Sequence, residues 1–172
     1  VLTALSDLEP PRGRFQLVRS TSGIIGIVDY AHTPDALKNV LETVNAVCGE
    51  TEQVITVIGC GGDRDRTKRP IMAQIATLNS SHVVLTSDNP RSEDPMAILN
   101  EMREGVAAND QARVWTNPDR REAIRQAVGM AKAGDVVLVA GKGHETYQEV
   151  NGVKHPFDDV AVLKETLELL HK

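Results

Sequence analysis

Ser87-Asp88-Asn89-Pro90-Arg91 is the stretch of this 172-residue chain whose residue types most clearly could do chemistry. An apolar, β-branched run, Val83-Val84-Leu85-Thr86, precedes it, and a helical pattern from about Asp94 follows. The turn therefore falls at the C-terminal end of an expected buried strand, the edge at which open α/β sheets bind ligands. An arginine held there is a fork for a carboxylate or a phosphate. Asp88 and Asn89 are also ordinary helix-entry residues and Pro90 an ordinary turn residue, but that account leaves Arg91 unexplained.

Three further polar clusters each follow an apolar run: Asp29-Tyr30-Ala31-His32, Gly61 to Arg66, and Gly141-Lys142-Gly143-His144-Glu145. In a parallel sheet all four would emerge at one edge. Gly59-x-Gly61-Gly62 resembles a phosphate loop, yet it is neither a dinucleotide fingerprint nor a Walker motif, and tight strand-to-helix turning explains it as well. Arg64, Arg66, Lys68 and Arg69 read equally as a solvated charge run and as a local anion site. Asp63 and Asp65 suggest Mg²⁺ less than simple pairing with Arg64 and Arg66. Lys142, between two glycines, reads either as a phosphate contact or as an exposed residue on a flexible turn. His32 reads as a hydrogen-bonding or stacking residue before a catalytic one, and His144-Glu145 lacks the second His of a zinc protease motif. Several cations with a few carboxylates suit a zwitterionic ligand: arginines for its carboxylates, Glu145 or Asp88 for an ammonium. No Ser-His-Asp or Cys-His arrangement stands out, so binding groups are better represented than a reaction centre.

The elements that must position these residues alternate in type. Strands are expected over Ile24 to Val28, Val54 to Ile58, His82 to Thr86, Arg113 to Trp115 and Asp135 to Ala140. Helices are expected from Thr33-Pro34, over Pro70 to Leu78, over Asp94 to Ala107, from Asn117-Pro118 to Lys132, and over Asp158 to Leu170. The alternation predicts an α/β fold, a mostly parallel sheet with helices on both faces. Tyr147 to Val150 and Val153 to His155, joined by Asn151-Gly152, predict a C-terminal β-hairpin. The first two dozen residues, with Pro10-Pro11 and Gly13, read as a linker or the end of a preceding domain.

Composition narrows the class. At 41% hydrophobic and 25% charged residues the chain is globular and not disordered. Its length suits one domain. A net charge of −5 argues against nucleic acid as partner. No apolar run is long enough for a membrane span, and no signal peptide is visible. Cys48 and Cys60 lack metal-ligand spacing and form no disulfide framework, so a cytoplasmic protein is expected. The first residue is Val and not Met, which suggests a processed or excised piece.

The segments VDYAHTPDAL (Val28 to Leu37), GCGGDRDRTKRP (Gly59 to Pro70), SDNPR (Ser87 to Arg91) and VAGKGHETYQ (Val139 to Gln148) resemble the Mur ligases, in particular the branch that adds the third residue of the peptidoglycan stem peptide. The resemblance runs from about Gly13 to the C-terminus and covers only that family's C-terminal, Rossmann-like α/β domain. It implies a division into residues 1–13, ending a preceding domain or linker, and 14–172, the amino-acid-binding domain. It implies an ATP-dependent ligase: the carboxylate of UDP-N-acetylmuramoyl-L-alanyl-D-glutamate becomes an acyl phosphate, which the incoming amine attacks to give ADP and phosphate. Arg14 and Asp29 match residues that contact ATP, with Tyr30 and His32 in the same nucleotide-facing motif. Arg64 matches a grip on one carboxylate of the amino acid and Arg91, in the Asp88-Asn89-Pro90-Arg91 motif, a grip on the other. Gly141 and Glu145 match positions that hold the distal end of the amino acid, Glu145 by accepting the ligand's ammonium. That motif implies meso-2,6-diaminopimelate, since relatives that add L-lysine usually lack the arginine.

The P-loop, the modified lysine and the Mg²⁺ ligands of the family's central domain have no counterpart here. The resemblance thus implies no catalytic residue in this chain, an inactive fragment, Mg²⁺ held mainly elsewhere, and the N-terminal and central domains as partners in a monomeric protein. A free-standing amino-acid or nucleotide-binding module is the alternative from a different class, and a folylpolyglutamate- or cyanophycin-type ligase a third, against which the complete Asp88 to Arg91 motif speaks.

Overall fold

The computed structural model of the chain describes residues 11–170. Five strands lie parallel: β2 (Ile25–Asp29), β3 (Val54–Cys60), β4 (His82–Ser87), β5 (Val114–Thr116) and β6 (Val136–Ala140). A further strand, β1 (Gln16–Arg19), pairs antiparallel with β2, and the sheet order is β1-β2-β6-β3-β4-β5. β3 and β6 are buried at every residue because both faces of the sheet are covered. Alternate residues serve opposite cores: Val136, Leu138 and Ala140 face one, Val137 and Val139 the other.

Three helices cover the first core, α1 (Pro34–Val47), α2 (Lys68–Asn79) and α3 (Pro95–Arg103); α4 (Arg120–Met130) and α5 (Asp159–Leu169) cover the second. Each helix faces the sheet with a helically spaced apolar stripe, such as Leu37, Val40, Leu41 and Val44 on α1. Fully burying one such side chain contributes about 1.5–3 kcal/mol. The ends are set locally. Thr33 accepts the Ala36 amide ahead of Pro34, and Asp94 accepts the Ala97 amide ahead of Pro95. Asp158 accepts from Val160 and Ala161 at the start of α5. The predicted hairpin is present as β7 (Tyr147–Val150) and β8 (Val153–Pro156), with Asn151 and Gly152 both at positive φ, as a two-residue type I′ turn requires.

Several boundaries differ from the sequence reading. Residues 1–10 of the expected linker lie outside the described residues, but Gln16 to Arg19 belong to the sheet as an edge strand. Only Val18 of that strand is buried, so its apolar signal was too short to read. Asn117-Pro118 does not start α4. Asn117 instead donates its amide to the Leu85 carbonyl and accepts the Asp119 amide on Oδ1, and Asp119 caps the helix. α2 begins at Lys68, with Pro70 tolerated in its first turn. α3 stops at Arg103, and a short 3-10 helix, Ala108–Arg113, leads into β5.

Candidate functional site

The loops after β2, β3, β4 and β6 converge, as their topology requires, on a cleft of about 720 Å³. Arg64, Asp88, Asn89, Arg91, Gly141 and Glu145 all line it, whereas Pro90 is not on its wall. A hollow of about 220 Å³ opens alongside, lined by Arg14, Asp29, Tyr30, Ala31, His32 and Ala36. Tyr30 and His32 line both. Arg14 and Asp29 thus line only the hollow, and Arg64, Asp88, Asn89, Arg91, Gly141 and Glu145 only the cleft.

The turn after β4 is held from outside by the hairpin. Gln148 donates from Nε2 to the Asp88 carbonyl at 2.8 Å, and the Glu149 amide donates to Asn89 Oδ1 at 2.9 Å. The Arg91 amide donates to the Glu149 carbonyl, and Asn151 donates to the Arg91 carbonyl at 2.7 Å. These bonds hold Arg91 at a φ of +53, a left-handed conformation that costs an ordinary residue on the order of 1 kcal/mol or more. The guanidinium is aimed as well: Nη1 donates to the Gly62 carbonyl at 2.8 Å, and Nε lies 3.5 Å from Glu149 Oε2. Neither Gln148 nor Glu149 stood out in the sequence, because their role depends on the hairpin folding back on a loop some sixty residues earlier.

Beneath the turn lies a floor of buried charge. Lys142 is not an exposed turn residue: it is fully buried, and its ammonium is taken up by acceptors of the protein itself. Its Nζ donates to Asn89 Oδ1 at 3.0 Å and to Glu145 Oε2 at 3.1 Å, and lies 3.8 Å from Asp88 Oδ1. Asn89 also donates from Nδ2 to Glu145 Oε2 at 3.0 Å. Deeper still, Arg120 and Asp159 form a bidentate pair at 2.8 Å with no exposed surface on either side chain. Arg120 also donates to the Ser87 and Ala140 carbonyls, the last residues of β4 and β6. It thereby ties together the two strand ends from which the site loops depart. Burial pushes the Asp88 carboxyl above the ordinary aspartate range, against the pull of Arg120 and Lys142. Arg120 and Asp159 sit at the N-termini of α4 and α5, where sequence pattern suggests only solvated helix ends.

The charge run after β3 divides. Arg69 is buried, with Glu93 and Glu101 of the α3 region on its guanidinium at 2.8–2.9 Å, and Arg66 also bonds Glu101. Asp63 and Asp65 neither pair with Arg64 and Arg66 nor share a metal position: Asp63 accepts from Ser92, and Asp65 from Thr67. Arg64 makes no side-chain hydrogen bond or ion pair among the described residues and faces the cleft. The neighbouring glycines serve close approach. A Cβ at Gly62 would stand 1.8 Å from the Pro90 carbonyl oxygen, and the Gly62 amide donates to the Asn89 carbonyl. Gly141, at a φ of +116, brings its backbone against Asp88.

In the hollow, Asp29 is occupied by the backbone: Oδ2 accepts the Phe15 amide and Oδ1 the Ala31 amide, both at 2.8 Å. The Tyr30 ring lies 4.5 Å from His32 and 4.9 Å from His144. His32 Nδ1 faces the Tyr30 carbonyl at 2.9 Å and must donate to it, which leaves Nε2 outward. Arg14 is exposed and, among the described residues, its side chain has no partner. Cys60 lines the cleft, but burial pushes its thiol up to about 12, so it is no nucleophile. Among the described residues no cluster of three His, Cys, Asp or Glu side chains could hold a metal ion.

The family described as "Mur ligase, glutamate ligase domain" matches residues 13–143. A UDP-N-acetylmuramoyl-L-alanyl-D-glutamate--2,6-diaminopimelate ligase of Cytophaga hutchinsonii is 58% identical over the whole chain, which covers 35% of that protein. The protein of the same name from Bacteroides thetaiotaomicron is 56% identical over 96% of the chain and 34% of its own length. A solved structure of a ligase of that name superposes with a TM-score of 0.86 at 46% identity, covering 99% of this chain and 34% of the other. The chain therefore spans about a third of the length of the curated relatives it matches.

Proposed function

Because this chain belongs to the Mur ligase family, we propose that it is the amino-acid-binding domain of an ATP-dependent ligase that adds meso-2,6-diaminopimelate to UDP-N-acetylmuramoyl-L-alanyl-D-glutamate. The observation that carries this reading is the chemistry of one cleft: two guanidinium groups, Arg64 and Arg91, face the same space as the Glu145 carboxylate. A ligand with two carboxylates and two ammonium groups complements it. Arg64 takes one carboxylate and Arg91 the distal one, while Glu145 and the Gly141 backbone receive the distal ammonium end. L-lysine would offer Arg91 no distal carboxylate, and a site built to pair a charged group rejects ligands that lack it.

The adjoining hollow is assigned to ATP, with Arg14 at phosphate, Asp29 toward the ribose, and Tyr30 and His32 alongside. Both Asp29 oxygens already hold amides, so a ribose hydroxyl would use their remaining lone pairs. In this reading the reaction proceeds through an acyl phosphate on the UDP-linked substrate. The chain's own residues orient the amino acid whose amine attacks it. The groups that act on the reacting phosphate, Mg²⁺ among them, belong to the central domain, so the 172-residue chain alone releases no ADP. We assign the whole protein to the cytoplasm, as a monomer.

Two measurements test the proposal. The protein carrying this chain should consume ATP with meso-diaminopimelate and discriminate against L-lysine; equal use of both would overturn the assignment. ADP release by the isolated chain with both substrates would refute the division of labour. Calorimetric titration of the chain with meso-diaminopimelate, L-lysine and ATP shows how much of each site exists before the domains close.

A further inference from the structure

We infer that Lys142 is the positioning residue of the amino-acid cleft: its buried ammonium locks Asn89 and Glu145, from two different loops, into the one arrangement that can receive a ligand ammonium. The inference rests on the reading of the cleft given above, and it assigns work to a residue that touches no ligand.

Geometry carries the argument. Lys142 has no exposed surface, yet it lies directly beneath the cleft wall. Its Nζ meets Asn89 Oδ1 at 3.0 Å and Glu145 Oε2 at 3.1 Å. Glu145 Oε2 also accepts from Asn89 Nδ2, so both hydrogen bonds to that carboxylate fall on one oxygen. Oε1 accepts no hydrogen bond among the described residues, while Glu145 lines the cleft. The lysine thus fixes which oxygen of Glu145 is offered to a ligand. Asn89 is oriented in the same way, because its Oδ1 accepts from both Lys142 and the Glu149 amide. With the amide flipped, its NH₂ would face two donors, so the rotamer has one solution.

Charge points the same way. Asp88, Glu145 and Asp159 bring three carboxylates to this floor, against the two cations Lys142 and Arg120. Counted with all three ionised, the floor carries one excess negative charge, which a single ligand ammonium would balance. Without Lys142 three carboxylates would share one cation, and Glu145 would be free to turn toward solvent or to bind cations without selection. A buried charge stripped of its partner is strongly unfavourable, so the effect should be large and local.

The test uses the ligase that carries this chain. Lys142→Met should raise KM for meso-diaminopimelate at least about tenfold, with KM for ATP within about threefold of wild type. Lys142→Arg keeps the charge and should recover part of the loss. In a Glu145→Gln background the further effect of Lys142→Met on the amino-acid KM should shrink, because the lysine acts through that carboxylate. Should Lys142→Met fail to fold, Lys142→Arg alone decides: a raised amino-acid KM beside an unchanged ATP KM supports the role. An unchanged amino-acid KM in a folded variant overturns it. So does an equal rise in both constants, or full additivity with Glu145→Gln, each of which marks a merely structural lysine. Failure of the functional reading looks different, because wild type itself would then prefer another amino acid. The same variants, measured against that amino acid, still decide the role of Lys142.

Discussion

The two concavities at the sheet edge are built in opposite ways. The cleft rests on a floor of buried charge, Lys142 on Asn89 and Glu145 above Arg120 on Asp159, with the β7–β8 hairpin bracing its rim. The hollow rests on the end of β2, and its one cation, Arg14, is exposed and unpartnered among the described residues. Asp29, which is the hollow's carboxylate, is spent on backbone amides. The lesson concerns pre-organisation. A site that must discriminate between amino acids has its polar groups oriented beforehand, at the expense of burying charges. Under the proposed function the hollow adds only a few contacts to a nucleotide held mainly by another domain, and so has no need of such a floor.

The contrast is most directly broken at its base. Arg120→Met would strand Asp159 and release the Ser87 and Ala140 carbonyls, and should cost about 3–5 kcal/mol of stability in urea unfolding of this chain. A loss below about 1 kcal/mol would mean that the floor is not a structural unit. Next comes the cleft wall. Arg91→Ala in the intact ligase should lower transition-state binding of diaminopimelate by about 2–5 kcal/mol, read as a raised KM for that substrate with ATP little affected. Arg64→Ala should act in the same direction. On the hollow side, Arg14→Ala should raise KM for ATP by roughly tenfold and spare the amino acid, as expected for one exposed charge-assisted contact. If both KM values moved together in either variant, the two concavities would be one site.

A smaller effect separates the rim from both. The Arg69 hydrogen bond, helped by the Asp63 amide, holds the Glu93 carboxyl down from its ordinary 4.5 to about 2. A carboxyl lowered on folding adds stability that is complete above its unfolded value and is lost as pH falls through its folded one. Stability should therefore decline between about pH 4.5 and 2, and Glu93→Gln should flatten that decline. Chemical denaturation across this range, in wild type and variant, measures the difference in slope.

Much of the architecture followed from local rules. The β-branched runs, Thr33-Pro34, Asp94-Pro95 and Asn151-Gly152 each specify an element within a few residues, through propensity, capping and turn chemistry. Alternation of strand and helix then implied a parallel sheet, and a parallel sheet implied that four polar loops share an edge. Arg64, Arg91 and Glu145 could be gathered on that ground, and they do line one cleft. What failed was of another kind. β1 has too few apolar residues to announce itself, and it exists because β2 offers an unpaired edge. Lys142 between glycines looks mobile in one dimension and is fully enclosed beneath the cleft in three. Arg120 and Asp159 look like helix-end charges until α4 and α5 pack side by side.

By itself, then, the amino-acid sequence determined the class of fold, the sheet edge at which the polar loops gather and the identity of the side chains that line the cleft there. Those depend on periodicity and on short-range backbone chemistry, which are written along the chain. Tertiary structure alone decided which charges face the cleft and which face one another. That choice depends on distances between residues far apart in sequence. It also depends on the cost of burying each ionised group, which is defined only once the surrounding chain has closed around it.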